Sequence, residues 1–177
     1  DQGRPDVSTG LGGFEWLGGL ELGYADSVAW PAGSPSDLPA IVSGVPGTTG
    51  HNAADPDFGL ASPDQGGRDR ALEWARGEAA GIARLVAEGH PIRAVQLHSA
   101  PTGKASVERF TESLLEAAGW DWGGVQLWVE HCDAWLPGQE PNKGYLTLDQ
   151  ELAILDEVSA KAPDAGWGLV INWARSA

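Results

Sequence analysis

Val125-Gln-Leu-Trp-Val-Glu-His-Cys-Asp133 is the stretch on which the fold turns. Val125 to Val129 is bulky, apolar and free of proline, which reads as a buried strand. It runs directly into Glu130, His131, Cys132 and Asp133, four groups that can ligate a metal or move a proton. A greasy strand ending in reactive side chains is the layout of an α/β site, where chemistry gathers at the carboxyl ends of parallel strands. The bland reading is that the same residues only cap the strand and open a loop. The other strands have to decide between the two.

Outward from this stretch, four more strand candidates stand out. Ala94 to His98 precedes it, and Gly168 to Asn172 follows it. Ala40 to Gly44 and Gly19 to Gly23 lie upstream, the latter with Leu20 and Leu22 on one face and Glu21 on the other. Helices are predicted between them. Ser62-Pro-Asp-Gln65 carries the pattern of a capping box, with Ser62 as cap and Pro63 in the first turn. The helix should run to about Glu88, burying Leu72, Ala75, Ala79, Ile82 and Val86 before Gly89 stops it. Ser106 should cap a second helix that buries Val107, Phe110, Leu114 and Ala118 and ends at Gly119. Thr147-Leu-Asp-Gln150 is a second capping box, whose helix should bury Leu148, Leu152, Leu155 and Val158. Ala25 to Pro39 and Ala134 to Tyr145 read as loops. So does Val45-Pro-Gly-Thr-Thr-Gly50, which lacks the lysine and spacing of a phosphate loop; His51 beyond it reads as solvated.

Strand and helix therefore alternate from Ala40 onward, which implies an α/β fold with a parallel sheet and helices outside. A barrel and an open doubly wound sheet both fit. No Gly-x-Gly-x-x-Gly follows a strand, which counts against a dinucleotide-binding fold.

Because strand side chains alternate, each strand can be phased. Val95 and Leu97 suit the helix side and leave Gln96 and His98 on the other. Val125, Leu127 and Val129 leave Gln126, Trp128 and Glu130; Leu169 and Ile171 leave Val170 and Asn172. Glu21 then also points inward. Four strands thus offer Glu21, His98, Glu130 or Asn172 as the inward residue nearest the carboxyl end. Unpaired buried carboxylates cost several kcal/mol, so they are paired, protonated or metal-bound. The competing reading is a structural hydrogen-bond network, with His98 bridging Glu130. His131 faces the helices by this phasing, Cys132 reads as an inert small residue, and Asp133 sits in the loop. Trp128, Trp135 and Trp173, among nine tryptophans, lie at the same end of the strands and could stack on sugar rings or simply pack.

The 177 residues suffice for one domain with a real core, and 42% apolar with 20% charged residues is a globular composition. A net charge of −14 without clustered Lys and Arg argues against nucleic acid. No window nears the roughly 20 apolar residues of a membrane span, and the amino terminus lacks a basic-then-apolar signal pattern. A single cysteine, Cys132, suits a reducing compartment, so the expected location is cytoplasmic. The chain holds no Met and stops at Ala177 just after an apolar strand, so it is expected to be a piece of a longer protein. Exposed sheet edges would then favour self-association.

Several pieces together resemble the xylose-isomerase-like superfamily of TIM barrels, and more narrowly the domain-of-unknown-function family 4862. They are Gly19-Leu-Glu-Leu22, Phe58-Gly-Leu-Ala-Ser-Pro-Asp64 with Gly67-Arg68, Leu97-His-Ser-Ala-Pro101 and Val129-Glu-His-Cys-Asp133, followed by Pro141-Asn-Lys-Gly144 and Leu169-Val-Ile-Asn-Trp173. The resemblance covers the chain from about Gly19, after an irregular lead over residues 1–18. It implies a partial (β/α)8 barrel of about five parallel strands with outer helices. It also implies a sugar or polyol isomerase or epimerase using a divalent metal such as Mn, Mg or Zn. Glu130 matches the superfamily's strand-end glutamate. Asn172 stands where an acid is expected, so a two-metal site is in doubt. Asp133 is the remaining metal candidate. Glu130, His98 and Glu21 are the catalytic candidates, and Trp128, Trp135, Asn172 and Gln96 the substrate-binding ones. Five strands cannot close an eight-stranded barrel of about 250 residues. The resemblance therefore implies a truncated barrel that could be inactive in this form. The other function class is a carbohydrate-binding domain without catalysis.

Overall fold

The computed structural model describes residues 17–138 and 143–172. Most of the irregular lead, Pro141-Asn142 and Trp173 lie outside these residues. The described chain forms β1 (Leu20–Gly23), β2 (Ala40–Ser43), α1 (Val45–Ala54), α2 (Gln65–Ala87), β3 (Ile92–Leu97), α3 (Val107–Ala118), β4 (Gln126–His131), α4 (Leu148–Lys161), a 3₁₀ turn (Pro163–Ala165) and β5 (Gly168–Ile171). All four strand pairings are parallel, and the sheet order is β1-β2-β3-β4-β5. A doubly wound sheet reverses its strand order at a switch point, and this one does not. Sequential parallel strands with helical crossovers are the architecture of a partial (β/α)8 barrel. Among the described residues β1 and β5 each pair on one side only.

The core lies between the sheet and its helices. Leu22, Val42, Val95 and Leu127 are register neighbours across four strands, and Leu97 pairs with Val129 one step on. All are buried, packed against Leu72, Ala75 and Ile82 of α2, Phe110 and Leu114 of α3, and Ile154 and Val158 of α4.

Helix starts show where local signals held. Ser106 caps α3 by accepting from the Arg109 N–H, and Thr147 and Gln150 form both bonds of the capping box of α4. At α2 the cap is Asp64 instead of Ser62. Its carboxylate accepts from the Gly67 N–H at 2.7 Å, while the Ser62 hydroxyl accepts from the Asp64 N–H. An ionised cap also complements the positive helix terminus.

The buried stripes also move. Val107 and Leu152 are exposed, Leu85 takes the place expected for Val86, and α4 buries Glu151, Ile154, Leu155 and Val158. Helices wrapped on a twisted sheet meet it along a stripe whose edge a period alone leaves open by one residue. Val45 to Gly50, expected to be loop, is the first half of α1. Its glycines and threonines are weak helix formers. Tertiary contact overrides them, because Gly47 lies so close to Ala25 and the Trp74 ring that a Cβ would collide with both.

Glu78 is a further surprise of α2. It is fully buried and neither carboxyl oxygen has a hydrogen-bond partner, so burial pushes its pKa well above the ordinary 4.5. A raised folded-state pKa means stability that is fully present below the unfolded value and is lost as pH rises through the folded one. Glu78 should therefore contribute to the unfolding free energy of the parent a component that falls from about pH 4.5 upward. In Glu78→Gln this component should be missing, so the curve of the variant should fall less steeply than that of the parent, by roughly 1.4 kcal/mol for each unit by which burial raises the Glu78 pKa. Urea titrations across that range check this, and parallel stability curves for the two proteins would refute it.

Candidate functional site

Phasing within the sheet builds the site. With Val95 and Leu97 turned to the helices, Gln96 faces inward as register partner of Ser43 on β2 and Trp128 on β4. One layer nearer the carboxyl ends, Glu130 pairs with Val170, and His98 follows Leu97 on β3. Asn172 lies just past β5, its N–H donating to the His131 carbonyl at 3.0 Å and so extending the ladder.

These residues meet. His98 Nε2 is 2.9 Å from Glu130 Oε2, Asn172 Nδ2 donates to Glu130 Oε1 at 3.0 Å, and the Cys132 thiol donates to Oε1 at 3.6 Å. Glu130 and His98 are buried. Burial alone would raise the Glu130 pKa. The hydrogen bond and charge of His98, the Asn172 amide and the charge of Lys143 outweigh it and hold the carboxyl at about 2. Glu130 is thus an ionised, buried carboxylate, and His98 Nε2 must carry the proton it shares with it. The other ring nitrogen, Nδ1, is buried and has no hydrogen-bond partner among the described residues.

Burial, then the Glu130 charge, push the Cys132 thiol up to about 12, so it stays protonated. Burial first, then Cys132, Glu130 and Asp133, also raise Tyr145, whose buried hydroxyl has no partner. Tyr145 is held by a short pairing of the segments beyond β4: its N–H donates to the Asp133 carbonyl, and the Trp135 N–H donates to its own. One ligand atom each from His98, Glu130 and Cys132 lies within 4.8 Å of the others. Nitrogen, carboxylate oxygen and sulfur form a donor set suited to Zn²⁺ and less so to Mg²⁺, which prefers oxygen throughout.

Below this group the inner face stays polar. Gln96 Oε1 and Ser43 Oγ are buried without hydrogen-bond partners among the described residues. Trp128 is half-buried and packs against Gly168, where a Cβ would come within 2.5 Å of the indole. Trp135 is 43% exposed, its ring beside Gly103 and Gly144.

Of the residues singled out from sequence, the fold brings His98, Glu130 and Asn172 into contact, with Gln96 and Trp128 one layer below. Asp133 is half-buried in the adjoining loop and outside the three-residue donor group. Glu21 is not brought there, contrary to its expected place near the carboxyl end. It shares the inward face through the register Glu21–Ile41–Ala94–Gln126, but that layer is at the amino end of the sheet. β1 continues to Gly23, so Glu21 stands exposed in a groove with Arg93 and Pro39. Sequence reasoning set Cys132 aside as an inert small residue and passed over Tyr145, Ser43 and Glu151. Glu151 carried one readable sign, an acid in register with Leu155 and Val158 on the apolar stripe of α4. On the helix side of β4, opposite Glu130, His131 Nδ1 is 2.7 Å from Glu151 Oε2.

Comparison with known proteins agrees with these motifs. The family model described as "Domain of unknown function (DUF4862)" matches residues 2–177. An uncharacterized protein of Salmonella typhimurium, STM3670, is 33% identical over 150 residues, 81% of this chain and 46% of the relative. The chain thus spans less than half the length of that relative. With a match running over nearly its whole length, the chain belongs to the DUF4862 family of domains of unknown function.

Proposed function

We propose that the carboxyl ends of β3, β4 and β5 form a metal-assisted site for isomerisation or epimerisation of a sugar or polyol, in a barrel of the xylose-isomerase-like kind. The observation that carries this reading is the buried His98–Glu130 pair at 2.9 Å, with His98 Nδ1 left without a partner on the same inner face as Gln96 and Ser43.

A carboxylate held at about 2 is a weak base at neutral pH, so Glu130 serves as an anion. It would hold the metal together with His98 or Cys132, while Asn172, through its bond to Glu130, keeps the carboxylate oriented. A divalent ion there supplies polarisation of a substrate carbonyl or hydroxyl. Glu130 also fixes the His98 ring. With His98 neutral and its proton on Nε2, Nδ1 would be the group to take a proton from the carbon beside a substrate carbonyl, unless the ion occupies it. Returning the carbon-bound proton to the neighbouring carbon, while the hydroxyl proton passes from one substrate oxygen to the other, completes an isomerisation without any redox partner; epimerisation by this one base requires the intermediate to turn so that its other face meets Nδ1. Gln96 Oε1 would accept a hydrogen bond from a substrate hydroxyl, Ser43 Oγ would donate or accept one, and Trp128 and Trp135 would offer ring faces to the carbon skeleton. Neutral hydroxyls suit these groups better than anions, given the ionised Glu130 beside them.

A second reading, a carbohydrate-binding domain without catalysis, is favoured by one feature. Glu130 already accepts from three protein donors, so its charge is satisfied without an ion.

Calorimetric titration of Zn²⁺ and Mn²⁺ should show binding to the parent that weakens at least about tenfold in Glu130→Gln and in Glu130→Ala. Equal binding in all three removes Glu130 from the metal role. A sugar retained by the protein should be released by EDTA if the site is metal-assisted; binding indifferent to EDTA selects the second reading.

A further inference from the structure

A second carboxyl is buried on the other face of the same two strands. Glu151, in the first turn of α4, is fully buried. Its Oε1 accepts from the Ser99 hydroxyl at 2.5 Å, and its Oε2 lies 2.7 Å from His131 Nδ1. The Leu146 N–H donates to Ser99 Oγ at 3.3 Å, so the hydroxyl's own proton is committed to Glu151. Ser99 and His131 are buried as well. A single carboxyl therefore joins the end of β3, the end of β4 and the segment entering α4.

Ser99 directly follows His98, and His131 directly follows Glu130. In extended chain, neighbouring side chains point to opposite faces. The two residues pinned by Glu151 on the helix side are thus the immediate neighbours of the two that meet on the inner side. The rest of this helix face, Ile154, Leu155 and Val158, is apolar. Packing alone could be met by another apolar residue, since buried polar groups can often be replaced by apolar ones of similar volume at little cost. What leucine cannot supply is direction. Two short hydrogen bonds fix the relative height of the β3 and β4 tips.

We propose that Glu151 is a positioning residue. It locks Ser99 and His131 so that His98 Nε2 and Glu130 stand at hydrogen-bond distance on the opposite face. This rests on the proposed site in giving the His98–Glu130 pair a function, but the geometry can be tested without it.

The test compares Glu151→Leu, Ser99→Ala and Glu151→Gln at constant neutral pH. The ¹⁵N signals of the His98 ring report which nitrogen carries the proton, and Zn²⁺ titration reports the site. The parent should show a single form with the proton on Nε2. Glu151→Leu and Ser99→Ala should show mixed forms of the His98 ring and weaken Zn²⁺ binding on the order of ten- to a hundredfold. Glu151→Gln should restore the parent signals, because its amide can accept from Ser99 and donate to His131 Nδ1. The proposal is overturned if the His98 ring signals of Glu151→Leu match the parent, whatever its melting temperature. Should Glu151→Leu not fold, the same comparison made with Ser99→Ala decides. If the parent binds no Zn²⁺, the metal reading of the site fails, yet the ring signals still decide the role of Glu151.

Discussion

Parallel pairing of β2, β3, β4 and β5 in sequential order is the constraint on which the rest depends. Once Val42, Val95 and Leu127 are aligned against the helices, every second side chain on each strand is committed to the inner face. A slip of one residue in any pair would bring polar groups against Phe110 and Ile154 and expose the valines. The apolar layer therefore sets the height of each strand. In doing so it sets which inward residues share a level: Ser43, Gln96, Trp128 and Gly168 on one, His98 and Glu130 on the next.

Among the described residues three acids are buried, and each is accommodated differently. Glu130 keeps its charge because donors from three chain segments converge on it. Glu151 is also bonded, yet burial wins over the bonds from Ser99 and His131, and its pKa stands above the ordinary value. Glu78 has no hydrogen-bond partner among the described residues and is pushed higher. The ordering follows from local surroundings: the number of donors and nearby charges around each group, set against the loss of water. Only Glu130 also has Lys143 adding favourable charge.

Much of the site was legible from the chain. The period of two in Val95-Gln-Leu-His98 and Val125 to Glu130 is strict, and apolar alternates must face the helices, so His98 and Glu130 had to share a face. What periodicity could not supply was height. Glu21 alternates correctly but belongs to a strand that runs on to Gly23, and the pairing of β1 with β2 leaves it at the amino end. The same gap explains Ser43, which belongs to a strand too short to phase against others from sequence. Cys132 and Tyr145 lie beyond the regular strand, where backbone turns decide direction and no period applies. Glu151 falls on the buried stripe because α4 is rotated by one position relative to the stripe expected from Leu148 and Leu152.

Local chemistry determined the elements. Side-chain period, the Ser106 and Thr147 caps and the alternation of strand with helix are short-range properties, written in residues at most a few positions apart. They were enough for an α/β fold with parallel strands and for the inward phase of His98, Glu130 and Asn172. Tertiary structure decided everything that needed two distant segments to meet. It chose sequential strand order over a doubly wound sheet, made a helix of Val45 to Ala54 by packing Gly47 on Ala25 and Trp74, and placed Glu21 far from Glu130. It also set the charge of each buried acid. That depends on which donors arrive from other strands and on how much water is excluded, and neither is encoded within reach of the residue itself.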